Sequence, residues 1–190
     1  MAAQILRAQD RTSAPWKNGG GMTSEVAVHP RDAGTGDFLW RVSVADVARG
    51  GPFSTFPGVD RVITLVDGPG MALSVDGASH QVDTPYEPFA FSGDAVTDCR
   101  LLGGAIIDFN VMVRRAEMTA RVRIVRSQAP LRPGVDAVVL AVVLDGSAVL
   151  RHSSVRLGRL DAVLLSAGDE DSVEVEGVLA IVELEVLPGR

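Results

Sequence analysis

The sequence predicts an all-β protein. Glycine (20 residues) and proline (10 residues) punctuate short apolar segments rich in Val, Ile and Leu, which is typical of many short strands. The dipeptides Asp67-Gly68, Asp76-Gly77 and Asp145-Gly146 favour tight hairpin turns, because both central positions tolerate a positive φ. No long segment repeats its apolar residues with a helical period, so we expect at most one helical turn, in residues 45–49.

Nine apolar runs, each bounded by turn residues, are predicted as strands. They are Met22–Val28, Phe38–Val47, Arg61–Val66, Met71–Val75, Ala105–Val113, Arg121–Val125, Ala137–Leu144, Ala162–Leu165 and Val178–Leu187.

An internal repeat organises these strands. Val59-Asp60 and Val135-Asp136 each open a strand that runs to an Asp-Gly, and Phe91-Ser92-Gly93-Asp94 is echoed by Ser166-Ala167-Gly168-Asp169, all at offsets of about 75 residues. Antiparallel strands need closure to hide their edges. The sequence therefore predicts two cupin-like β-barrel or jelly-roll units, a bicupin, with an N-terminal unit at residues 1–115 and a degenerate C-terminal unit at residues 116–190, packed as one body. Chance similarity between valine-rich strands is the alternative.

Charge and hydropathy exclude several partners. The net charge of −6 has the wrong sign for binding phosphate backbones, so we expect no nucleic-acid partner. The longest apolar runs, such as Ala137–Leu144, fall far short of the roughly 20 residues of a membrane span. The N-terminal residues do not read as a signal peptide, and Cys99 is the single cysteine. We expect a cytoplasmic protein that does not bind membranes.

Metal and nucleophile chemistry have little support in the sequence. His29, His80 and His152 are isolated from one another, and the His-x-His motif of metal-binding cupins is absent. There is no Gly-x-Ser-x-Gly motif, and Cys99 reads as a packed small hydrophobe. We therefore expect a metal-free protein without a cofactor.

A first candidate site is the loop Pro15–Glu25. Trp16 offers an aromatic plane, Lys17 a cation and Asn18 an amide, while Gly19 and Gly20 let backbone N–H groups approach a guest. These groups suit a small planar or carboxylate-bearing ligand. The alternative is a structural loop in which Trp16 plugs the end of a barrel.

Strand alternation at residues 40–45 places Arg41 and Ser43 on one face and Trp40, Val42 and Val44 on the other. An arginine among apolar neighbours either clamps a carboxylate or pairs with an internal acid such as Asp108.

The loop Gly51–Arg61 is rigid and aromatic, because it contains two prolines and the phenylalanines Phe53 and Phe56. The two rings either roof a cavity or merely cover the barrel. Arg61 either faces the ligand or holds Asp60 and nearby carbonyls.

A polar lane is predicted on the strand at residues 105–114. Period-two spacing gathers Asp108, Asn110, Met112 and Arg114 on one side. Facing inward, this lane would hold a polar guest, with Asn110 acting as both donor and acceptor; facing outward, it would be solvated surface.

Together, the segments PWKNGGGMTSE, FLWRVSVADV, GPFSTFPGVDR and DFNVMVRR resemble the HutD/Ves family of bacterial cytosolic proteins with a double cupin-like fold. The ordered motifs cover about residues 15–115. The resemblance implies a link to histidine utilisation, with urocanate or a formylated derivative as the ligand. The pocket residues that it implies are Trp16, Lys17, Asn18, Arg41, Ser43, Phe56, Arg61, Asp108, Asn110 and Met112.

Three functions remain open from the sequence. The first is a metal-free protein that binds a small anionic or planar metabolite, auxiliary or regulatory in histidine utilisation. The second is a metal-free isomerase or hydrolase with Asp108 or Glu25 as general base. The third is an interaction module whose phenylalanine loop docks a partner, such as a second copy in a homodimer.

Overall fold

A computed structural model describes residues 3–34 and 36–188. The chain divides into two compact units. One is Thr12–Ala116, and the other combines Glu117–Arg190 with Met1–Arg11. The N-terminal strand Gln4–Leu6 belongs to the second unit because it pairs with strand Ala162–Leu165, an assignment that no local sequence pattern reveals.

The described residues form one 3-10 helix, Ala8–Asp10, and seventeen strands. In chain order the strands are β1 (Gln4–Leu6), β2 (Ser13–Pro15), β3 (Gly21–His29), β4 (Trp40–Val47), β5 (Gly51–Pro52), β6 (Val59–Asp67), β7 (Met71–Val75), β8 (Ala78–Val82), β9 (Pro88–Ser92), β10 (Thr97–Leu101), β11 (Ile106–Arg114), β12 (Met118–Val125), β13 (Ala129–Leu131), β14 (Ala137–Leu150), β15 (Arg156–Leu157), β16 (Ala162–Leu165) and β17 (Asp171–Val186).

The Thr12–Ala116 unit contains two antiparallel sheets. Six strands pair in the order β2-β3-β4-β11-β6-β9, and four pair in the order β5-β10-β7-β8. One core cluster combines Ala45, Ile63 and Ile106 of the larger sheet with Leu73 and Cys99 of the smaller one, so these faces pack against each other. Each sheet is open at both ends of its strand order, so the hydrogen-bonded strands described here do not close into a barrel. The all-β prediction is confirmed, and the closed-barrel form of it is not.

The second unit is a seven-stranded antiparallel sheet in which β14 and β17 form the long central pair, flanked by β16, β1 and β12. The continuous apolar run Ala137–Leu144 makes β14 a strand with two buried faces, since a one-sided strand would alternate with polar residues. Its core cluster, which includes Leu131, Leu150, Leu157 and Leu165, is apolar throughout.

The three Asp-Gly dipeptides have different structures, and only one of them forms the predicted hairpin turn. Asp76-Gly77 forms the predicted β7–β8 hairpin with φ of +47° and +83°. Asp67-Gly68 instead leads from the six-stranded sheet to the four-stranded one. Asp145-Gly146 lies inside β14 and forms no turn. Residues 45–47 are strand, which agrees with the expectation of at most one helical turn at residues 45–49. Of the described residues, no helix is long and apolar enough to cross a membrane.

Gly146 marks an irregularity in the β14–β17 pairing. The register shifts between Val143 and Asp145, and Gly146 then lies opposite Gly177 with φ of +73°. A Cβ on Gly146 would overlap the carbonyl oxygen of Glu176. The position requires glycine for its φ and for the close approach of the two backbones.

We expect Gly146→Ala to lower the free energy of unfolding by roughly 1–3 kcal/mol, because a left-handed φ and a backbone overlap are imposed together. Chemical denaturation measures this loss. Gly104→Ala is the matched control, since a Cβ there meets no atom within 4 Å. Equal stability of the two variants would contradict the argument.

Candidate functional site

Strand register brings three cross-strand rows to one face of the six-stranded sheet. Residues directly opposite in antiparallel strands point to the same side. Each row takes one residue from β3, β4, β11 and β6, in that order. The first row is Thr23, Ala45, Asp108 and Leu65, and the second is Glu25, Ser43, Asn110 and Ile63. The third row is Val28, Arg41, Met112 and Arg61. Because Ala45, Leu65 and Ile63 belong to the core between the two sheets, this polar face points into that core.

Arg61 is the most unusual residue of this face. It is 7% exposed, and its guanidinium lies over the rings of Phe91, Phe53 and Phe56, at 4.9, 5.2 and 5.6 Å from their centroids. Within the described part of the chain its guanidinium makes no hydrogen bond, and the Nε atom is buried without a partner. Burial lowers the pKa of Arg61 to about 10, opposed by the charge of Asp108 and reinforced by that of Arg41.

Asp108 is the second buried ionisable group of the face. It is 3% exposed and has no hydrogen-bond partner among residues 3–34 and 36–188. Burial raises the pKa of Asp108 to about 7, while Arg61 opposes the rise and Asp46 adds to it. Arg61 thus acts on Asp108 through space and not through a direct ion pair. Near neutral pH this carboxyl exists in both protonation states.

Arg41 and Glu25 form an ion pair at the more open part of the face. The Nε of Arg41 donates to Glu25 Oε2 at 2.9 Å, and the two side chains are 19% and 39% exposed. The sequence left open a pairing of Arg41 with Asp108, and the structure shows that Glu25 takes that place. Similarly, Asp60 is held by Arg115 at 2.7 Å and not by Arg61.

Asn110, Ser43 and Met112 complete the face. Asn110 is half-buried, and its Oδ1 atom is buried without a hydrogen-bond partner. Ser43 is buried beside it in the same row. Met112 lies between Arg41 and Arg61, so the two arginines stand two strand spacings apart, about 10 Å between Cα atoms. The polar atoms of this face that lack a partner can donate hydrogen bonds to, or accept them from, a bound polar molecule.

The loop after β2 is an ordered turn. Gly19 N–H donates to the carbonyl of Trp16, and Gly20 N–H donates to Asn18 Oδ1, so neither N–H is free for a guest. Lys17 and Asn18 are exposed. In the described part of the chain, the hydrogen bonds of Gly19 and Gly20 are local to this turn or run to residues 48 and 49, and a ligand-binding role for Lys17, Gly19 and Gly20 stays a prediction.

Trp16 does connect this loop to the site. Its Nε1 donates to Thr23 Oγ1 at 2.7 Å, and Thr23 stands in the row of Asp108. The ring also meets Phe53 edge-on, with centroids 6.4 Å apart. Through Phe53, Trp16 supports one wall of the aromatic cage around Arg61.

Phe91 is the site residue that sequence reasoning missed. It lies on β9, an edge strand that was not predicted because Pro88 and short length weaken the strand signal. The alternation of Phe89 and Phe91 was the available clue, and the register that places Phe91 opposite Arg61 depends on pairing with β6.

Two surface clefts of the unit lie away from Arg61 and Asp108. One cleft of about 270 Å³ is lined by residues that include Asp46, Asp67 and Ile106, and another of about 100 Å³ by residues that include Asp83 and Phe89. Neither is lined by Arg61 or Asp108. The rings of three phenylalanines lie around the Arg61 guanidinium, and Arg41, Glu25 and Asn110 are the part-exposed residues of the face.

Metal ligation has no visible basis in the described ranges, where no three His, Cys, Asp or Glu side chains gather closely enough to hold an ion. Cys99 faces the same core, and burial, with the charges of Asp108 and Asp98, raises the pKa of its thiol to about 12. The thiol is therefore protonated near neutral pH.

Two facing antiparallel sheets enclosing a polar lane define an all-β, cupin-like protein. YhhW from Escherichia coli shares this fold, with a TM-score of 0.67 at 10% identity over 99% of both chains, which shows fold alone. The sequence model of the HutD family matches residues 8–182, and the chain belongs to this family.

Relatives agree with that assignment. A 21.2 kDa protein of the hutC 3′ region from Pseudomonas putida is 41% identical over 187 residues, covering 95% of this chain and 96% of the relative. The structure of HutD from Pseudomonas fluorescens SBW25 matches with a TM-score of 0.85 and 35% identity, over 98% of this chain and 100% of that one. Protein Ves from Citrobacter koseri is 42% identical over 110 residues, 57% of this chain and 56% of the relative.

Asp108 predicts a pH dependence of stability. Its pKa rises from an ordinary 3.8 to about 7 on folding, so the folded state binds the proton more tightly than the unfolded state. This tighter proton binding contributes at most about 4 kcal/mol to the free energy of unfolding. The contribution is fully present below about pH 4 and is lost as the pH rises through 7. Asp108→Asn should remove this component.

The measurement is the free energy of unfolding of wild type and Asp108→Asn between about pH 5 and pH 8. The variant should gain stability relative to wild type as pH increases. A difference that stays constant over this range would show that Asp108 does not titrate as described.

Proposed function

We propose that the Thr12–Ala116 unit binds a small carboxylate-bearing metabolite and that the protein is an auxiliary or regulatory component of histidine utilisation. One observation carries the proposal: Arg61 is a buried cation without a hydrogen bond. A guanidinium removed from water and left unpaired destabilises the fold, and a carboxylate is the group that its two-pronged geometry fits best.

Charge-assisted hydrogen bonds supply the energy for such binding. Each contributes about 1.5–3 kcal/mol, so a bidentate contact accounts for a large part of the roughly 8 kcal/mol of a micromolar complex. The cage of Phe53, Phe56 and Phe91 strengthens the contact by excluding water. A planar ligand would also find aromatic surface there.

The accessible side of the lane supports recognition of a second polar group. The free Oδ1 of Asn110 accepts a hydrogen bond from a ligand N–H or O–H. Arg41, already partly neutralised by Glu25, lies in the neighbouring row and offers a second cation. Urocanate and N-formylated acidic amino acids carry a carboxylate together with an N–H group and fit this arrangement.

Family membership supports the metabolic association. The relative from Pseudomonas putida takes its name from the hutC 3′ region, and the solved relative from Pseudomonas fluorescens is named HutD. The cytoplasmic location, the absence of a cofactor and a homodimeric state stay predictions.

A bicupin origin of the fold is part of the proposal. The order β4-β11-β6-β9 in one unit corresponds to the order β12-β17-β14-β16 in the other, with every pair antiparallel. The repeated segments around Gly93 and Gly168 follow the corresponding strands β9 and β16. This correspondence supports descent of both units from one repeated β element.

An enzyme is the second candidate, favoured by Asp108. A carboxyl whose pKa is about 7 is well matched to general-base chemistry at neutral pH. Glu25 is less suited, because Arg41 holds it as an ion pair. If turnover of a substrate is found, Asp108→Asn should abolish it, and undiminished turnover would eliminate this mechanism. The docking module is less favoured, since Phe53 and Phe56 are half-buried against Arg61.

Replacing Arg61 tests the binding proposal. Titration calorimetry with urocanate and N-formylglutamate should show binding to wild type and a loss of at least about tenfold in affinity for Arg61→Met, because two charge-assisted hydrogen bonds disappear. Arg100→Met is the matched control, since Arg100 is exposed on β10 of the same unit. Retained affinity in Arg61→Met would refute the role of Arg61.

The same variant has a stability consequence. Methionine fits the aromatic cage without a charge to desolvate, so Arg61→Met should unfold at the same temperature as wild type or higher in the absence of ligand. Thermal unfolding without ligand measures this. A clear drop in Tm would mean that Arg61 is a structural residue.

A further inference from the structure

Asp108 and Arg61 share the buried part of the polar face without contacting each other. Asp108 stands in the same column of β11 as Asn110 and Met112, and Arg61 stands opposite Met112 on β6. Both are at least nine-tenths buried, and neither side chain makes a hydrogen bond to the described residues. Their charges attract each other without a direct ion pair, and each side chain keeps hydrogen-bonding capacity that a third group can use.

A carboxylate can satisfy both groups only if Asp108 is protonated. Arg61 supplies N–H donors in every state, whereas an ionised Asp108 has only acceptors and would repel a second carboxylate. The acid form of Asp108 is an O–H donor, and an O–H···O⁻ bond to a carboxylate is short and strong.

We propose that ligand binding is coupled to proton uptake: the ligand carboxylate binds between the Arg61 guanidinium and the protonated Asp108 carboxyl. This inference rests on the proposed function. The proton moves from solvent to a carboxylate oxygen of Asp108, and the ligand stays ionised. Asp108 thereby makes the site specific for a group that accepts hydrogen bonds from both sides.

The charged groups around Asp108 determine its pKa and therefore how many protons are taken up on ligand binding. The charges of Arg61 on β6 and Asp46 on β4 act on Asp108, and Asp108 acts on the thiol of Cys99 on β10. Arg41 and Glu25 lie in other rows of the same sheet face, and His80 on β8 pairs with Leu73 of the facing sheet. Cys99 stays a protonated thiol over the pH range of the experiment, and the charges of Glu25 and Arg41 neutralise each other. The ligand adds a second negative charge beside Asp108, which raises the pKa of that carboxyl above its value of about 7 in the free protein.

Linkage gives the expected size of the effect. Above the pKa of the free carboxyl, each rise of one pH unit should weaken carboxylate binding by up to about tenfold. Below it, affinity should be constant. At about pH 7.5, binding should take up a fraction of one proton.

Calorimetry in phosphate and in Tris, buffers with different ionisation enthalpies, measures the proton uptake directly. The probes are formate and N-formylglutamate, whose carboxyls stay ionised between about pH 6 and pH 9. Wild type should take up protons and lose affinity with rising pH. Asp108→Asn, which keeps a donor at this position, should still bind, take up none and show a flat pH profile. His80→Gln is the control and should behave as wild type.

The possible outcomes separate the proton coupling from the proposed function. Binding by wild type with no proton uptake and a flat pH profile would overturn the coupling and leave the proposed function standing. Binding whose pH dependence vanishes in His80→Gln and persists in Asp108→Asn would also overturn it. Failure of wild type to bind either probe or urocanate would overturn both proposals. The wild-type measurements need no variant to fold.

Discussion

The unpaired guanidinium of Arg61 is the constraint on which the candidate site depends. A cation held under three phenylalanine rings, 7% exposed and without a hydrogen bond, is an unfavourable element of the free protein. Its charge also limits how far burial raises the pKa of Asp108. The pairing of β6 with β11 and β9 fixes this geometry, because it sets Arg61 opposite Met112 on one side and Phe91 on the other.

The two units differ in what their cores hold. The hydrophobic core cluster of the second unit includes Val139, Ala141 and Val143 of β14. Glu183 on β17 is part-exposed and pairs with Arg123. The buried Asp171 of the second unit accepts hydrogen bonds from the backbone N–H groups of His152 and Ser172, whereas the buried side chains of Arg61 and Asp108 make none.

Period-two alternation predicted much of the candidate site. It placed Arg41 with Ser43 and Asp108 with Asn110 on one face each, and the register confirms both sets. It did not predict that Arg41 pairs with Glu25, because that contact joins two strands separated by a loop. The role of Lys17 was expected from residue type alone, and the structure places Lys17 on an exposed turn whose hydrogen bonds are local.

Local sequence determined the all-β class, most central strands and the faces of their side chains, since apolar alternation and turn residues act within a few residues of one another. Asp145-Gly146 shows the limit: its turn signal is overridden by the long pairing of β14 with β17. Only the tertiary structure decided that β9 lies beside β6, that Phe91 caps Arg61 and that Asp108 lacks a hydrogen bond. These features arise from contacts between distant segments, and desolvation at such contacts determines the charge and hydrogen bonding of the site.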